Sequence, residues 1–363
     1  MRAFSADLFC RVVDNLGDIG VMWRLARQLS ADKGWQIRLW VDQLSSLATI
    51  EPSVDSKKAE QICQHIEVCH WPAPWLPIEP RPIVIAGFSC DLPSDYLKQF
   101  ATHTDPIWLQ LEYLSAEHWV ESFHGLHSQR NDVLKPMFFF PGFTPNTGGL
   151  LREADLITKR QHWKSHADGT RWLASLGVQP VGKPKLVSVF TYPHAPLHCL
   201  IEQLEQTSQR YHLLVPSTQS LPSQPAGDQV TWQSIPFLSQ PDYDKLLWSC
   251  DLNLVRGEDS FVRAIWAGQP LLWQIYPQKD GAHHAKLKAW LDLATPPSAV
   301  AQAMHEWADG KLTTDLIPLL TGDGWQQWCQ SSHALSEQLA QQTDLATKLD
   351  DWVDEQTSRS DRL

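Results

Sequence analysis

The sequence predicts an α/β protein made of two halves, each with its own parallel sheet. Short apolar runs alternate with stretches of helical periodicity along most of the chain. A strand–turn–helix–strand pattern occurs at residues 8–41 and again at residues 251–278, with connections suited to neighbouring parallel strands. At 363 residues the chain also exceeds the usual size of one domain, so two domains are expected.

The first half opens with a strand at residues 8–13, a polar turn at 14–20, a helix over 21–29 that ends near Gly34, and a strand at 36–41. Glycines in the turn allow a close backbone approach, but the turn lacks the GxGxxG spacing of a dinucleotide site.

Two aspartates, Asp14 and Asp18, frame this turn. Ordinary turn and helix-capping chemistry explains one of them easily and both less well.

Further strands are expected at residues 62–69, 82–87 and 107–112, with a proline-rich connector at 71–77. The three consecutive phenylalanines within 137–143 and the glycine pair at 148–149 are expected to form strand core followed by a flexible loop. Residues 112–115 follow a predicted strand and therefore take a ligand-facing position. A polar, helix-tolerant stretch at 152–176 ends near Gly177 and Pro180, so the domain boundary is placed between residues 178 and 179.

The second half begins with a strand at residues 185–192 that has aromatic residues at its carboxyl end. A helix is expected at 197–206, strands at 211–216 and 230–235, a loop at 217–228, a helix at 243–248 and a helical acidic tail at 345–354.

Residues 251–278 form the most informative stretch. A buried strand at 252–255 leads into a polar turn at 256–260, and Asp259 or Ser260 is expected to cap the following helix. Gly268 ends that helix, and an apolar strand follows at 271–276. Free N–H groups at a helix start favour an anion, and Arg256 stands beside them. The alternative is a capped helix with a surface Arg–Glu pair.

Composition and charge argue against two classes of binding partner, nucleic acids and membranes. The net charge of −11 argues against a general nucleic-acid or anionic-membrane surface. No apolar run approaches the roughly 20 residues needed to span a bilayer. Asp7 lies where a signal peptide would have its apolar core. We therefore expect a cytoplasmic protein without nucleic-acid or membrane partners.

The cysteine pattern favours reduced thiols. The seven cysteines are scattered and include no CxxC pair. Cys63, His65, Cys69 and His70 lie close in sequence but lack zinc-finger spacing, so no metal site is expected.

Two α/β halves fit several classes of protein: a sugar-nucleotide glycosyltransferase, a two-domain small-molecule binding protein, or a kinase or synthetase. The absence of a GxxxxGK[ST] loop argues against a kinase or synthetase.

Five motifs then narrow the choice: DNLGDIG at 14–20, VFTY at 189–192, PFLSQ at 236–240, RGEDSFVR at 256–263 and IYPQ at 275–278. Their order and spacing closely resemble the bacterial elongation factor P arginine rhamnosyltransferases, the EarP family. The resemblance implies a GT-B fold, with two Rossmann-like domains facing each other across a cleft. Residues 1–178 would be the acceptor domain and 179–363 the nucleotide-sugar domain; a return of the C-terminal helices onto the first domain is left open.

The resemblance also implies an activity: inverting transfer of rhamnose from dTDP-β-L-rhamnose to an arginine side chain of elongation factor P. No cofactor is implied beyond this donor. The thymine-binding residues would be Phe190, Phe237 and Gln240. The remaining donor-site residues would be Asn15, Gly17, Tyr192, Arg256, Glu258, Asp259, Ser260 and Tyr276. Asp14 and Asp18 match acceptor-side aspartates, and Glu258 matches a glutamate important for activity.

The chemistry of the residues agrees with this. Arg256 and the helix start can neutralise a leaving diphosphate, so no metal is expected. An attacking guanidinium must be oriented and must lose a proton as the C–N bond forms. Asp18 is the candidate base, with Asp14 orienting or sharing that role, while Glu258 either shares the chemistry or mainly holds the donor.

Two alternatives remain open. One is a glycosyltransferase that acts on a glycan or small-molecule acceptor. The other is a non-catalytic module that binds a sugar nucleotide or a protein.

Overall fold

The computed structural model contains two β-sheets and describes residues 4–13, 16–72, 75, 78–129, 134–166, 168–220, 227–278 and 280–360. The strands are β1 Ser5–Cys10, β2 Gln36–Val41, β3 Glu60–Cys63, β4 Ile66–His70, β5 Ile83–Gly87, β6 Ile107–Leu111, β7 Met137–Phe139, β8 Lys185–Val189, β9 Tyr211–Pro216, β10 Val230–Ile235, β11 Leu252–Arg256 and β12 Leu271–Gln274.

Helices connect these strands and follow the last of them. They are α1 Gly17–Lys33, α2 Leu44–Ile50, α3 Ser94–Phe100, α4 Trp119–Phe123, α5 Leu156–Ser165, α6 Asp168–Ser175, α7 Leu197–Glu205, α8 Gln240–Ser249, α9 Asp259–Ala267, α10 Ala282–Ala294, α11 Ser298–Ala308, α12 Ile317–Leu320, α13 Gly322–Ala340 and α14 Leu345–Ser360. Among the helices that the structure describes, none has the length and apolarity needed to cross a bilayer.

The chain divides into two units. Unit 1 comprises Met1–Ala154 and Gln342–Leu363, and unit 2 comprises Asp155–Gln341. This division differs from the boundary expected between residues 178 and 179. The reason is packing: α5 and α6 both contact α8 of unit 2, although their polar sequence resembles a linker.

Unit 1 includes the C-terminal helix α14, which packs against α1. Leu349 and Val353 of this helix are fully buried. The indole N–H of Trp35 donates to Oδ1 of Asp350 at 2.7 Å, and the N–H of Leu345 donates to the carbonyl of Leu150 at 2.9 Å. The acidic tail is therefore part of the first unit, held by an apolar face and by hydrogen bonds.

The sheet of unit 1 has seven strands in the order β3-β4-β2-β1-β5-β6-β7, with β3 and β4 antiparallel and the other pairs parallel. At the amino end of β1 the fully buried Asp7 accepts hydrogen bonds from Arg38 at 2.6 and 2.8 Å and from the Tyr96 hydroxyl at 2.6 Å. This buried network fixes β1, β2 and α3 at the end of the sheet away from the loops considered below.

One predicted strand is wrong. Residues 62–69 were expected to be a single strand, but they belong to the antiparallel pair β3–β4. Gln64 and His65 adopt positive φ values of 49° and 64° between the two strands. Such a tight turn usually carries Asn-Gly or Asp-Gly, and Gln-His gives no such signal.

The sheet of unit 2 has five parallel strands in the order β10-β9-β8-β11-β12. Its apolar core includes Leu214 and Ile235 of the sheet and Leu246 of α8, with Leu173 of α6 packed in the same cluster. Strands buried on both faces explain the near-continuous apolar runs in this half of the sequence.

Candidate active site

Each sheet has one point where the strand order reverses, between β1 and β5 in unit 1 and between β8 and β11 in unit 2. In open parallel sheets, ligands bind at the carboxyl ends of strands at such a point. The loops after these four strands carry most of the residues singled out in the sequence.

In unit 1, Asp18 lies in the first turn of α1 and its side chain is only 2% exposed. Oδ2 accepts a hydrogen bond from the N–H of Val13 at 2.8 Å, and Oδ1 accepts one from the hydroxyl of Tyr113 at 3.3 Å. The positive end of the helix dipole favours a carboxylate at this position. Gly17 is the first residue of α1, whereas Asp14 and Asn15 lie outside the described residues.

An aromatic pair lies beside this carboxylate. The rings of Phe88 and Tyr113 stack with centroids 4.5 Å apart and planes 22° apart. Phe88 and Ser89 follow β5 with φ values of 56° and 54°, which is strained for residues with side chains. The Ser89 hydroxyl donates to Oε1 of Glu112 at 2.9 Å. Aromatic faces beside carboxylates suit a planar cation such as a guanidinium.

The nearby cysteine is not a nucleophile. Burial raises the pKa of the Cys10 thiol well above its usual value, and the negative charge of Asp18 raises it further. A neutral thiol is a poor nucleophile. All seven cysteines are free, and in the described ranges no group of three or more His, Cys, Asp or Glu residues could hold a metal ion.

In unit 2, the turn between β11 and α9 has a different cap from the one expected. Glu258 occupies the N-cap position of α9 without a side-chain cap hydrogen bond. Ser260 instead folds back on the backbone of Arg256, accepting from its N–H at 3.1 Å and donating to its carbonyl oxygen. Gly257 has a φ of 61°, and this positive value makes the sharp return possible. The prediction that Asp259 or Ser260 caps the helix is therefore wrong, whereas Gly268 ends it as expected.

Arg256 lies among aromatic rings. Its guanidinium carbon is 4.6 Å from the ring centroid of Phe190 and 4.6 Å from that of Tyr192. Its Nε is buried and has no hydrogen-bond partner among the residues that the structure describes. The rings attract the cation through their π faces, so Arg256 is held at the start of α9, where an anion would meet both the guanidinium and the helix N-terminus.

The aromatic residues of unit 2 do not form a parallel sandwich. Phe190 meets Phe237 at a centroid distance of 6.3 Å and an interplanar angle of 63°, and it meets Tyr243 at 5.7 Å and 61°. Tyr192 meets Tyr276 at 5.7 Å and 73°, and Tyr276 is 45% exposed. A planar base can therefore stack on one ring while it contacts the edge of another.

Two cross-links join α8 to α9. Gln240 donates from Nε2 to Oδ2 of Asp259 at 3.3 Å. One helical turn further on, Arg263 pairs with Asp244 at 2.8 and 2.7 Å, and both side chains are buried. The ion pair was not predicted, because 19 positions separate its members and the RGEDSFVR motif that ends in Arg263 does not indicate Asp244 as its partner.

Two residues at the end of β12 were also missed. The indole N–H of Trp273 donates to the carbonyl of Gly257 at 2.7 Å, and Oε1 of Gln274 accepts from the N–H of Tyr192 at 2.7 Å. In sequence they lie within the strand expected at 271–276, and only the folded sheet shows which loops they contact.

Two Rossmann-like units, each with polar loops at the reversal of its strand order, define the GT-B class of glycosyltransferase folds. A solved structure with this fold is UGT2 of Phytolacca americana bound to UDP-2fluoro-glucose and pterostilbene. It is 14% identical with a TM-score of 0.54, and the match covers 99% of this chain and 100% of the other.

The family follows from closer matches. Residues 6–354 match the sequence profile of the family described as Elongation-Factor P (EF-P) rhamnosyltransferase EarP. A protein-arginine rhamnosyltransferase of Pseudomonas putida is 44% identical over 94% of this chain and 97% of its own length. The one from Pseudomonas aeruginosa is 41% identical over 95% and 97%. A structure solved to explain EarP-mediated arginine glycosylation of translation elongation factor EF-P is 30% identical, has a TM-score of 0.63 and covers 97% of this chain and 99% of its own. The chain belongs to the EarP family.

Proposed function

We propose that the protein is an inverting protein-arginine rhamnosyltransferase that moves rhamnose from dTDP-β-L-rhamnose to an arginine side chain of translation elongation factor P. Family membership and the activity of the Pseudomonas relatives support the reaction. The observation that carries the proposal is the position of Arg256 among aromatic rings at the start of α9.

The loops of unit 2 suit a nucleoside-diphosphate sugar. Phe190 and Phe237 would offer an aromatic face and an aromatic edge to the thymine, and the amide of Gln240, which donates to Asp259 at 3.3 Å, would read a base edge. Arg256 and the backbone N–H groups at the start of α9 would bind the diphosphate.

The loops of unit 1 suit the acceptor. A guanidinium nitrogen attacks C1 of rhamnose, a C–N bond forms, the C1–O bond to the diphosphate breaks, and the configuration at C1 inverts. The attacking nitrogen loses one proton, because in the charged guanidinium its lone pair is delocalised and becomes available for the new C–N bond only as that proton leaves. Asp18 would take that proton, with Asp14 orienting the guanidinium or sharing the role.

Neutralisation of the leaving diphosphate needs no metal in this proposal. Arg256 supplies a fixed positive charge and the α9 N-terminus supplies oriented N–H donors. Glu258, at the N-cap of α9, would act on the donor side and hold the sugar. An acceptor that works in translation also implies a cytoplasmic enzyme.

The test is transfer itself. The purified chain is incubated with dTDP-β-L-rhamnose and elongation factor P, and peptide mass spectrometry is expected to find one added deoxyhexose on a single arginine. Elongation factor P with that arginine replaced by lysine is the control and should stay unmodified. Donor binding without any transfer would favour a binding module, and modification of a glycan in place of the protein would favour a different acceptor class.

A further inference from the structure

Gln274, the last residue of β12, joins the two sides of the candidate donor site. β12 pairs with β11, and β11 pairs with β8, so Gln274 lies two strands away from the loop that carries Tyr192. Its side chain reaches over the carboxyl end of β11 and accepts the backbone N–H of Tyr192 at 2.7 Å. This contact links the loop after β8 directly to the sheet edge.

The orientation of this amide follows from its partner. A backbone N–H only donates, so the atom that faces Tyr192 must be the carbonyl oxygen. Gln274 is fully buried, and its Nε2 has no hydrogen-bond partner within the described part of the chain. A buried N–H group without a partner costs free energy that an apolar side chain of similar length would avoid. The contact that offsets this cost is the one to Tyr192.

The neighbouring residue holds the other loop. Trp273 donates to the carbonyl of Gly257 at 2.7 Å and stacks on Phe261 of α9 with centroids 3.8 Å apart. Adjacent residues of a strand point to opposite faces of the sheet. The end of β12 therefore fixes the Arg256–Gly257 turn from one face and the Tyr192 loop from the other.

Tyr192 connects Gln274 to the candidate donor site, because its backbone contacts Gln274 and its ring contacts Arg256. Its ring lies 4.6 Å from the guanidinium carbon of Arg256 and 5.7 Å from the ring of Tyr276. Freedom in the Tyr192 backbone would displace one of the two aromatic surfaces that hold Arg256.

We propose that Gln274 is a positioning residue for the nucleotide-sugar donor and acts through the backbone of Tyr192. The inference rests on the proposed function, because the ligand concerned is the dTDP-rhamnose of that reaction. Gln274 does not take part in the chemistry and does not contact the acceptor.

The first test replaces Gln274 by Met, which has a similar length and no strong acceptor, and by Asn, whose amide is one methylene too short to reach Tyr192. In both variants the dissociation constant for dTDP-rhamnose, measured by calorimetry, should rise about tenfold, the scale of one lost hydrogen bond to a site residue. The KM for elongation factor P should not change. Circular dichroism selects the variants that fold.

Gln203 provides a matched control in the same unit. Its Oε1 accepts the backbone N–H of Leu316 at 2.7 Å, the same type of contact at the same distance, on a helix that carries none of the proposed site residues. Gln203→Met should leave donor affinity unchanged. If Gln203→Met and Gln274→Met lost donor affinity equally, general destabilisation would explain the loss, and the inference would be overturned.

A double-mutant cycle tests the route through Tyr192. If Gln274 acts through Tyr192, then Gln274→Met should add less than about twofold to the loss already caused by Tyr192→Ala. Full additivity of the two losses, or unchanged donor affinity in both Gln274 variants while the unaltered chain binds dTDP-rhamnose, would overturn the inference alone. Failure of the unaltered chain to bind dTDP-rhamnose would overturn the proposed donor and this inference with it.

Discussion

The hydroxyl of Tyr113 donates a hydrogen bond to Oδ1 of Asp18 at 3.3 Å, and this contact joins the loop after β6 to the first turn of α1. The other oxygen of Asp18 is fixed by the N–H of Val13 at 2.8 Å. Both oxygens of a nearly inaccessible carboxylate therefore have set directions. In the proposed reaction, a base oriented in this way before the acceptor arrives would have less freedom to lose.

Replacement of Asp18 by Asn should separate chemistry from binding. The amide keeps an oxygen for the N–H of Val13 but cannot take a proton from a guanidinium. We expect the turnover rate for rhamnose transfer to fall by about 10²-fold or more, while calorimetry shows nearly unchanged affinity for dTDP-rhamnose.

Asp42 offers the control for this variant, because its Oδ1 accepts the N–H of Val12 at 2.9 Å in the same part of the chain. Asp42→Asn should retain transfer. Near-normal turnover of the Asp18→Asn enzyme would exclude Asp18 from the mechanism.

Removal of the two phenylalanine rings should have different consequences. Phe237→Ala should weaken donor binding by about 1–3 kcal/mol if the ring contacts the base. Phe190→Ala should cause a similar loss and also lower the turnover rate, because Phe190 supports the guanidinium of Arg256 at 4.6 Å. Calorimetry and steady-state kinetics check both. Unchanged donor affinity in both folded variants would reject the assignment of these rings to the base.

Loss of the Arg256 side chain should affect the transition state more than the folded protein. We expect Arg256→Ala to cost about 2–4 kcal/mol in kcat/KM if the guanidinium pairs with the leaving diphosphate. Arg171 is exposed on α6, and Arg171→Ala should have normal kinetics. Equal kinetics of the two variants would remove Arg256 from the reaction.

Removal of divalent cations by EDTA tests the turn before α9 independently of these variants. A divalent cation at Glu258 and Asp259 would be repelled by Arg256 and by the N-terminus of α9, so transfer should continue at its full rate in EDTA. If EDTA abolished transfer and added Mg²⁺ or Mn²⁺ restored it, the two carboxylates would instead be metal ligands.

Acid stability should depend on Glu306 of α11. Partial burial alone would raise the pKa of this carboxyl, but hydrogen bonds from the backbone N–H and hydroxyl groups of Thr314 and Thr313 outweigh burial and lower the pKa to about 2. Since the folded pKa is depressed, the stabilisation is fully present above the unfolded value of about 4.3. It is lost as the pH falls from there through the folded pKa of about 2.

Glu306→Gln should therefore lower the free energy of unfolding at neutral pH by about 1 kcal/mol, because solvent screening reduces the contribution of this partly exposed group, and should make it less dependent on pH in the acid range. Urea titrations at pH values above and below the unfolded pKa measure both quantities. Glu202, an exposed glutamate of α7, is the control, and Glu202→Gln should keep the acid dependence of the original chain. An equal acid dependence in the Glu306 variant would contradict this account.

Patterns within a single element were predictable from the sequence. The apolar strand at β11, the glycine in the turn after it and the glycine that ends α9 all act within a few residues, so their spacing is sufficient to place them. The location of the Tyr192 loop and the Arg256 turn at carboxyl ends of strands follows from the same patterns.

What could not be predicted depends on residues far apart in sequence. The Gln274–Tyr192 contact spans 82 positions and the Asp244–Arg263 pair spans 19, and neither leaves a local pattern. The prediction of the α9 cap was wrong for a different reason. The Ser260 hydroxyl bonds to the backbone N–H and carbonyl of Arg256, four residues earlier, and does not cap the helix.

The packing of α14 against α1 also has a consequence for biosynthesis. The chain leaves unit 1 at Ala154 and returns only at Gln342, after the whole of unit 2 has been translated. Until α14 emerges from the ribosome, Trp35 lacks its partner Asp350, and the α1 surface that α14 later covers is open to other chains. Exposed apolar surface on an unfinished unit invites chaperone binding or aggregation. Unit 2 is continuous in sequence and can complete its fold first, although the ribosome makes it second.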